Sequence, residues 1–106
     1  MEVKTYKTHL ALDFAYGLNE LLERIIKEEP AETDEDKLWV AALAEIHLLL
    51  QKRLVVTKPQ YQISLTAVQA MALRIMVTTY CSGHQHAWLS AKLLTVANSI
   101  HRFYTV

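Results

Sequence analysis

Residues 66–80, TAVQAMALRIMVTTY, decide the predicted fold, because they form a helix with almost no polar side. With 100° between successive side chains, apolar residues cover most of the circumference and only a narrow strip through Arg74 and Thr78 is polar. Thr66 and Gln69 have the spacing of a capping box, in which each side chain satisfies the other residue's backbone amide. A helix that is apolar nearly all round belongs at the centre of a bundle or in a dimer interface.

Three further helices are predicted around this central one. The first spans residues 5–29 and ends at Pro30, because proline disfavours the helical conformation of the residue before it. The second spans residues 33–53, with a threonine N-cap, an acidic first turn that the helix dipole favours, and a core face that includes Leu38. The fourth spans residues 85–104, after a glycine that suits a C-cap.

The segment 54–65 between helices 2 and 3 has a different pattern. It contains two β-branched valines and a Lys58-Pro59 turn, and then Tyr61, Ile63 and Leu65 alternate with polar residues. A period of two indicates extended backbone. The sequence therefore predicts an all-α, compact antiparallel four-helix bundle with a short extended segment or a hairpin between helices 2 and 3. We find no internal repeat or linker, and residues 1–106 are predicted to form a single helical domain.

Composition narrows the class of protein. The chain has 52% hydrophobic and 21% charged residues, which is typical of a globular protein, and only two glycines and two prolines, too few for a loop-rich design. A single cysteine excludes an intrachain disulfide and favours a reducing compartment. The first residues have no apolar segment of the kind found in signal peptides. We expect a soluble, cytoplasmic protein.

The charged residues are segregated along the chain. All eleven carboxylates lie in residues 1–45 with five basic residues, and six basic residues follow in residues 46–106. The net charge of zero therefore conceals an acidic first part and a basic second part. Because residues 46–106 have no Asp or Glu, this part offers no carboxylate as a general base or a metal ligand.

The segment Cys81-Ser-Gly-His84-Gln-His86 is the nearest approach to a metal or thiol site. Thiolate and imidazole are zinc ligands, but the segment lacks a fourth ligand. A Cys–His nucleophile pair would need a third group to orient the imidazole, and no local signature supplies one. A polar turn between two helices is the favoured interpretation, with a metal or thiol site as the third-ranked function. We therefore predict no catalytic residue, no metal and no cofactor.

The basic second part makes nucleic-acid binding the second-ranked function. Its cations are scattered along the chain, whereas nucleic-acid-binding surfaces cluster them on one face or one helix. The candidate contacts are Lys92, Arg102, Lys52, Arg53 and Lys58. The alternative is that the basic part neutralises the acidic part within the fold.

Several large residues fall outside the apolar stripes of their predicted helices. Aromatic residues are the ones most enriched at interface hot spots, and Trp88 shares its arc of helix 4 with Lys92. The candidate protein-binding residues are Trp88, Lys92, Leu94, Leu12, Tyr16 and Leu48. We predict a small, non-enzymatic interaction or regulatory module that binds another protein and forms a homodimer.

Overall fold

The chain folds into four helices and one small sheet. The structure, a computed structural model, describes residues 4–28, 32–80 and 87–105. Its elements, in chain order, are β1 (Tyr6–Ala11), α1 (Leu12–Glu28), α2 (Asp34–Leu54), β2 (Gln60–Leu65), α3 (Ala67–Tyr80) and α4 (Ala87–Thr105). The mostly helical prediction is therefore confirmed, but the molecule is not a purely all-α four-helix bundle, because the described residues include a two-stranded antiparallel sheet. None of the described helices combines the length and the apolarity needed to cross a membrane.

The first strand corrects the predicted start of helix 1. Residues 6–11 are extended, and they pair with the alternating segment that precedes α3. Tyr6 and Leu10 are buried while Lys7 and His9 are exposed, which is the period of two that a strand requires. Leu10 also fits the apolar stripe of the predicted helix 1. The alternation did not outweigh that stripe, because a strand of six residues gives a weak local signal. Pairing with a distant segment therefore determined the conformation.

The extended segment before α3 is confirmed, but the predicted hairpin within residues 54–65 is wrong. Its partner strand is β1, with Tyr6 opposite Leu65, Thr8 opposite Ile63 and Leu10 opposite Tyr61. The backbone amide of Leu12 donates to the carbonyl oxygen of Pro59 at 3.1 Å, which extends the link between the two strands by one bond.

The predicted caps of α2 and α3 are both present. The backbone amide of Asp36 donates to Thr33 Oγ1 at 3.0 Å, and the Asp36 side chain accepts from the Thr33 amide, so α2 begins with a full capping box. At α3, Gln69 N donates to Thr66 Oγ1 and Thr66 N donates to Gln69 Oε1. Each box satisfies two backbone donors that the helix leaves free.

The element order repeats, in contrast to the prediction of no internal repeat. Each half of the chain is a strand followed by two helices: β1, α1 and α2, and then β2, α3 and α4. Tyr61 follows Tyr6 by 55 residues, and the same separation relates Leu10 to Leu65. In the ladder, Thr8 lies opposite Ile63, which is its equivalent at this separation. The register of the antiparallel pair is therefore the one that a twofold relation between the halves requires.

Burial follows the same relation along α1 and α3. Positions separated by 55 residues are buried in both helices, and these pairs are Ala15 and Ala70, Leu18 and Leu73, Leu21 and Met76, and Leu22 and Val77. Only two of these four pairs are identical residues, and the polar positions differ throughout. The repeat is therefore conspicuous in packing and faint in sequence.

The predicted central position of α3 is only partly correct. One side of α3 is buried, but Val68, Met71 and Ile75 on the other side are exposed. Leu38, which was assigned to the core face of α2, is also exposed. Four helices and a sheet of this size bury only one side of each helix, so the surplus apolar side chains remain on the surface.

The sequence predicts that Arg74 is partly exposed and pairs with a carboxylate from the first half of the chain, because residues 46–106 contain no Asp or Glu. Its side chain is half-buried, as expected. Within the residues that the structure describes, however, no carboxylate lies within ion-pair distance of Arg74. Because Arg74 is only half-buried, water can hydrate its guanidinium group without such a partner.

Tyr61 tests the connection between α2 and β2. Its hydroxyl donates to the Val56 carbonyl at 2.7 Å and accepts from the Lys58 amide at 3.1 Å. Tyr61→Phe removes both bonds and should lower the free energy of unfolding by about 1–2 kcal/mol in urea melts. Tyr16→Phe is the matched control, since Tyr16 is exposed, and it should change stability by less than about 0.5 kcal/mol. Equal stabilities of the two variants would contradict the anchoring role.

Candidate interaction groove

An apolar groove of about 530 Å³ runs between α2 and α3. Its α2 wall is formed by Glu35, Asp36, Leu38 and Trp39. Its α3 wall is formed by Ala67, Val68, Met71, Ala72, Ile75 and Thr79. Hereafter "the groove" means this surface.

A hydrogen bond links the two helices that form the walls of the groove. Gln69 Nε2, at the start of α3, donates to Glu45 Oε2 in the middle of α2 at 2.6 Å. At its other end the groove is lined by Glu35 from the first turn of α2 and by Thr79 near the end of α3. The two helices therefore run antiparallel, and the groove follows α3 for about three turns, or about 16 Å, but α2 for only about one turn.

The groove is open and its apolar walls face solvent. The exposed fractions are 65% for Leu38, 57% for Val68, 44% for Ile75 and 36% for Met71. On α3 these side chains stand at positions i, i+3 and i+7, which places them on one face of the helix. A continuous apolar face of this kind is typical of a surface that a partner covers.

Both charged residues in the groove are acidic and lie at one end. Glu35 and Asp36 belong to the first turn of α2, next to the last turn of α3. The positive end of the α2 dipole and the negative end of the α3 dipole lie next to each other here and offset each other, so the two carboxylates set the sign of the local charge. They therefore favour a positive group at this end.

The other half of the fold shows the same surface without the apolar residues. The equivalents of Val68, Met71 and Ile75 on α1, 55 residues earlier, are Asp13, Tyr16 and Glu20. All six positions are exposed. The fold therefore accepts an acidic residue at two positions where α3 presents a branched apolar one.

The contact of α1 with α4 is the counterpart of the groove. Gly17 lies against α4 so closely that a Cβ atom there would lie 3.1 Å from Leu89 Cδ1 and 3.8 Å from Trp88 Cη2. In the groove, Ala72 takes the place of Gly17 and lines the same surface as Leu38 and Trp39. Trp88 thus contacts its neighbouring helix in one half, whereas the groove between α2 and α3 stays open in the other.

The structure divides the predicted protein-binding residues among separate places. Lys92 Nζ lies 5.6 Å from the centre of the Trp88 ring, so these two form one local patch beside Gly17. Tyr16, Leu48 and Leu94 are exposed on three different helices, and Leu12 is half-buried against the core. None of the six lines the groove.

The predicted nucleic-acid contacts are also dispersed. Lys52 and Arg53 lie in the last turn of α2 and Lys58 in the connection that follows, all exposed. Lys92 and Arg102 lie on α4, ten residues or about 15 Å apart along the helix. Binding to nucleic acid stays a prediction.

No group of three or more His, Cys, Asp or Glu side chains in the described ranges could hold a metal ion. The candidate site at Cys81, His84 and His86 lies outside those ranges. On α1, Lys27 Nζ donates to Glu23 Oε1 at 2.8 Å, and this hydrogen bond and charge lower the pKa of Glu23 and raise the pKa of Lys27. The pair is exposed, so it contributes little to stability.

Comparisons of the chain with protein-family models, with curated proteins and with solved structures give no match. The proposed function therefore rests on the groove and its charged residues.

The sequence contains one indication of the groove, the apolar circumference of helix 3. The helix 3 pattern, apolar nearly all round, includes Val68, Met71 and Ile75, and a dimer interface is one of the two environments that such a pattern predicts. The sequence does not show that Leu38 is exposed, because a residue next to Trp39 on the helix can lie either in the core or on the surface. Which apolar residues remained exposed depended on how the helices are arranged.

Trp88 and Leu89 provide a direct test of the α1–α4 contact. Trp88 is 44% exposed and Leu89 only 7%. Trp88→Ala should therefore lower the free energy of unfolding by about 1 kcal/mol, whereas Leu89→Ala should lower it by at least about 2 kcal/mol. Urea melts measure both. A loss of about 3 kcal/mol or more for Trp88→Ala would show that Trp88 belongs to the core.

Proposed function

We propose that this protein is a small, non-enzymatic interaction module that binds another protein through the groove. The observation that carries the proposal is the exposure of four large apolar side chains on its two walls: Leu38, Val68, Met71 and Ile75. Exposed apolar residues that occur singly are ordinary, but an elongated concave group of them characterises interaction sites.

The repeated architecture supports a functional reason for these residues. Stability alone does not require apolar side chains at Val68 and Ile75, since the equivalent positions of α1 are Asp13 and Glu20. Burying the groove against a partner removes apolar area from water, at roughly 25 cal/mol per Å². Leaving it uncovered gains nothing for the isolated chain.

The shape of the groove favours a protein over a small molecule. Sites for small molecules enclose 70–90% or more of the ligand surface, roughly, within a largely closed pocket. Here the wall residue Leu38 remains 65% exposed, so the groove encloses little. An elongated and open surface between two helices suits a helix of a partner protein.

The homodimer stays a prediction. A second copy could cover the groove only by offering an apolar surface of its own, and the exposed side of α3 is one such surface. Sedimentation equilibrium at concentrations from about 1 to 100 µM distinguishes a dimer from a chain of 12.2 kDa.

Site-specific photo-cross-linking tests the proposed function. A benzophenone amino acid placed at Ile75 should give a defined adduct with one protein in the native cells, whereas the same probe at Glu20, the equivalent position of α1, should not. Both positions are exposed, so the two probes differ only in the surface that they report.

The adduct must then be reproduced with purified components. The cross-linked protein should bind the unmodified chain in a calorimetric titration, and Met71→Glu should weaken binding by about tenfold or more. Val55→Glu is the matched control, because Val55 is 82% exposed and lies outside the groove. The same adducts from both probe positions, or equal binding by the two variants, would contradict the proposed function.

A further inference from the structure

We infer that the occupant of the groove is a basic amphipathic helix of a partner protein, with apolar anchors along one face and cations at one end. This inference rests on the proposed function and specifies the chemistry of the partner. It combines three properties of the groove: its length, the spacing of its apolar walls, and the position of its charges.

The length and the spacing fit a single helix. Val68 and Thr79 are 11 residues apart on α3, which corresponds to about 16 Å. A partner helix that lies along this length presents anchors at i, i+3 or i+4, and i+7, as helices bound in grooves do. These anchors would lie between the row formed by Val68, Met71 and Ile75 and the opposite wall at Leu38 and Trp39.

The charges determine the chemistry and the placement of the occupant. Glu35 and Asp36 are the only charged residues that line the groove in the described part of the chain, and both lie at one end. Lys or Arg side chains of the partner would therefore lie over this end, while its anchors fill the remainder.

A second copy of the chain satisfies these charges poorly. The exposed side of α3 brings the apolar row, but the helix has one basic residue, Arg74, near its middle. In an antiparallel α3 pair, the end that reaches the partner's Glu35 and Asp36 begins with Thr66, Ala67 and Val68, so it offers the partial positive charge of the helix dipole but no charged side chain. Charge complementarity therefore favours a different protein over a homodimer.

The direct test uses synthetic helical peptides and the full chain. The probes are fluorescein-labelled amphipathic peptides of about 14 residues with Leu, Ile or Phe anchors, each made with Lys, Gln or Glu on its polar face. Fluorescence anisotropy is measured at about 50 and 300 mM salt, because attraction between exposed charges weakens as the Debye length shortens. The Lys peptides should bind most tightly, and less tightly at the higher salt concentration.

Two pairs of variants separate the apolar and charge contributions. Met71→Glu should weaken binding of the Lys peptide by about tenfold or more, while Val55→Glu should not. Glu35→Lys should weaken the Lys peptide and strengthen the Glu peptide, while Glu20→Lys, on α1, should do neither. Glu35 is chosen over Asp36 because Asp36 belongs to the capping box, so its loss would disturb α2. Circular dichroism melts verify that all four variants fold.

Each contrary result overturns the inference in a recognisable way. Equal binding of the Lys, Gln and Glu peptides would overturn the basic helix and leave the proposed function standing. A chain that sediments as a dimer which Met71→Glu dissociates would identify a second copy as the occupant. Failure of every peptide to bind would reject an amphipathic helix, and the cross-linking experiment would then decide the proposed function separately.

Discussion

The pairing of β1 with β2 is the constraint on which the rest of the structure depends. The two strands come from opposite halves of the chain, and their register places Thr8 opposite its own equivalent, Ile63. An isolated pair of strands is marginal in water, so the helices must cover one side of the sheet. Tyr6, Leu10 and their counterparts Tyr61 and Leu65 accordingly point into the core. Each strand leads directly into a helix, so the ladder fixes where α1 and α3 begin relative to each other.

Because the architecture repeats, equivalent surfaces of the two halves can be compared with each other. At exposed positions related by 55 residues, α1 has Asp13 and Glu20 where α3 has Val68 and Ile75. On α1, Trp88 lies next to Gly17, and the acidic residues face solvent. Between α2 and α3, apolar walls and two carboxylates remain open to an occupant. The difference between the halves supports a functional reason for the apolar walls, because the equivalent positions of α1 are also exposed and yet carry acidic residues.

Sequence reasoning located the helices well where the determinants are local. The caps at Thr33 and Thr66 lie within three residues of their partners and were found correctly. The strand at residues 6–11 was missed, because its conformation depends on a partner strand about fifty to sixty residues away in the sequence. The groove was missed for the same reason: the wheel of α3 indicated a surplus of apolar surface, but only the arrangement of the helices determines which part of it remains exposed. Trp88 and Lys92 were correctly placed on one arc, and their role stays a prediction.

We infer that the exposed apolar side chains of α3 that line the groove, Val68, Met71 and Ile75, are not needed for folding. This inference is tested most directly by giving α3 the residues of α1 at the three equivalent positions, in the combined variant Val68→Asp, Met71→Tyr and Ile75→Glu, and measuring urea unfolding. The account predicts a free energy of unfolding within about 1 kcal/mol of the original chain and an unchanged m-value. A loss of about 3 kcal/mol or more would contradict it, because a loss of that size would show that these side chains are part of the core.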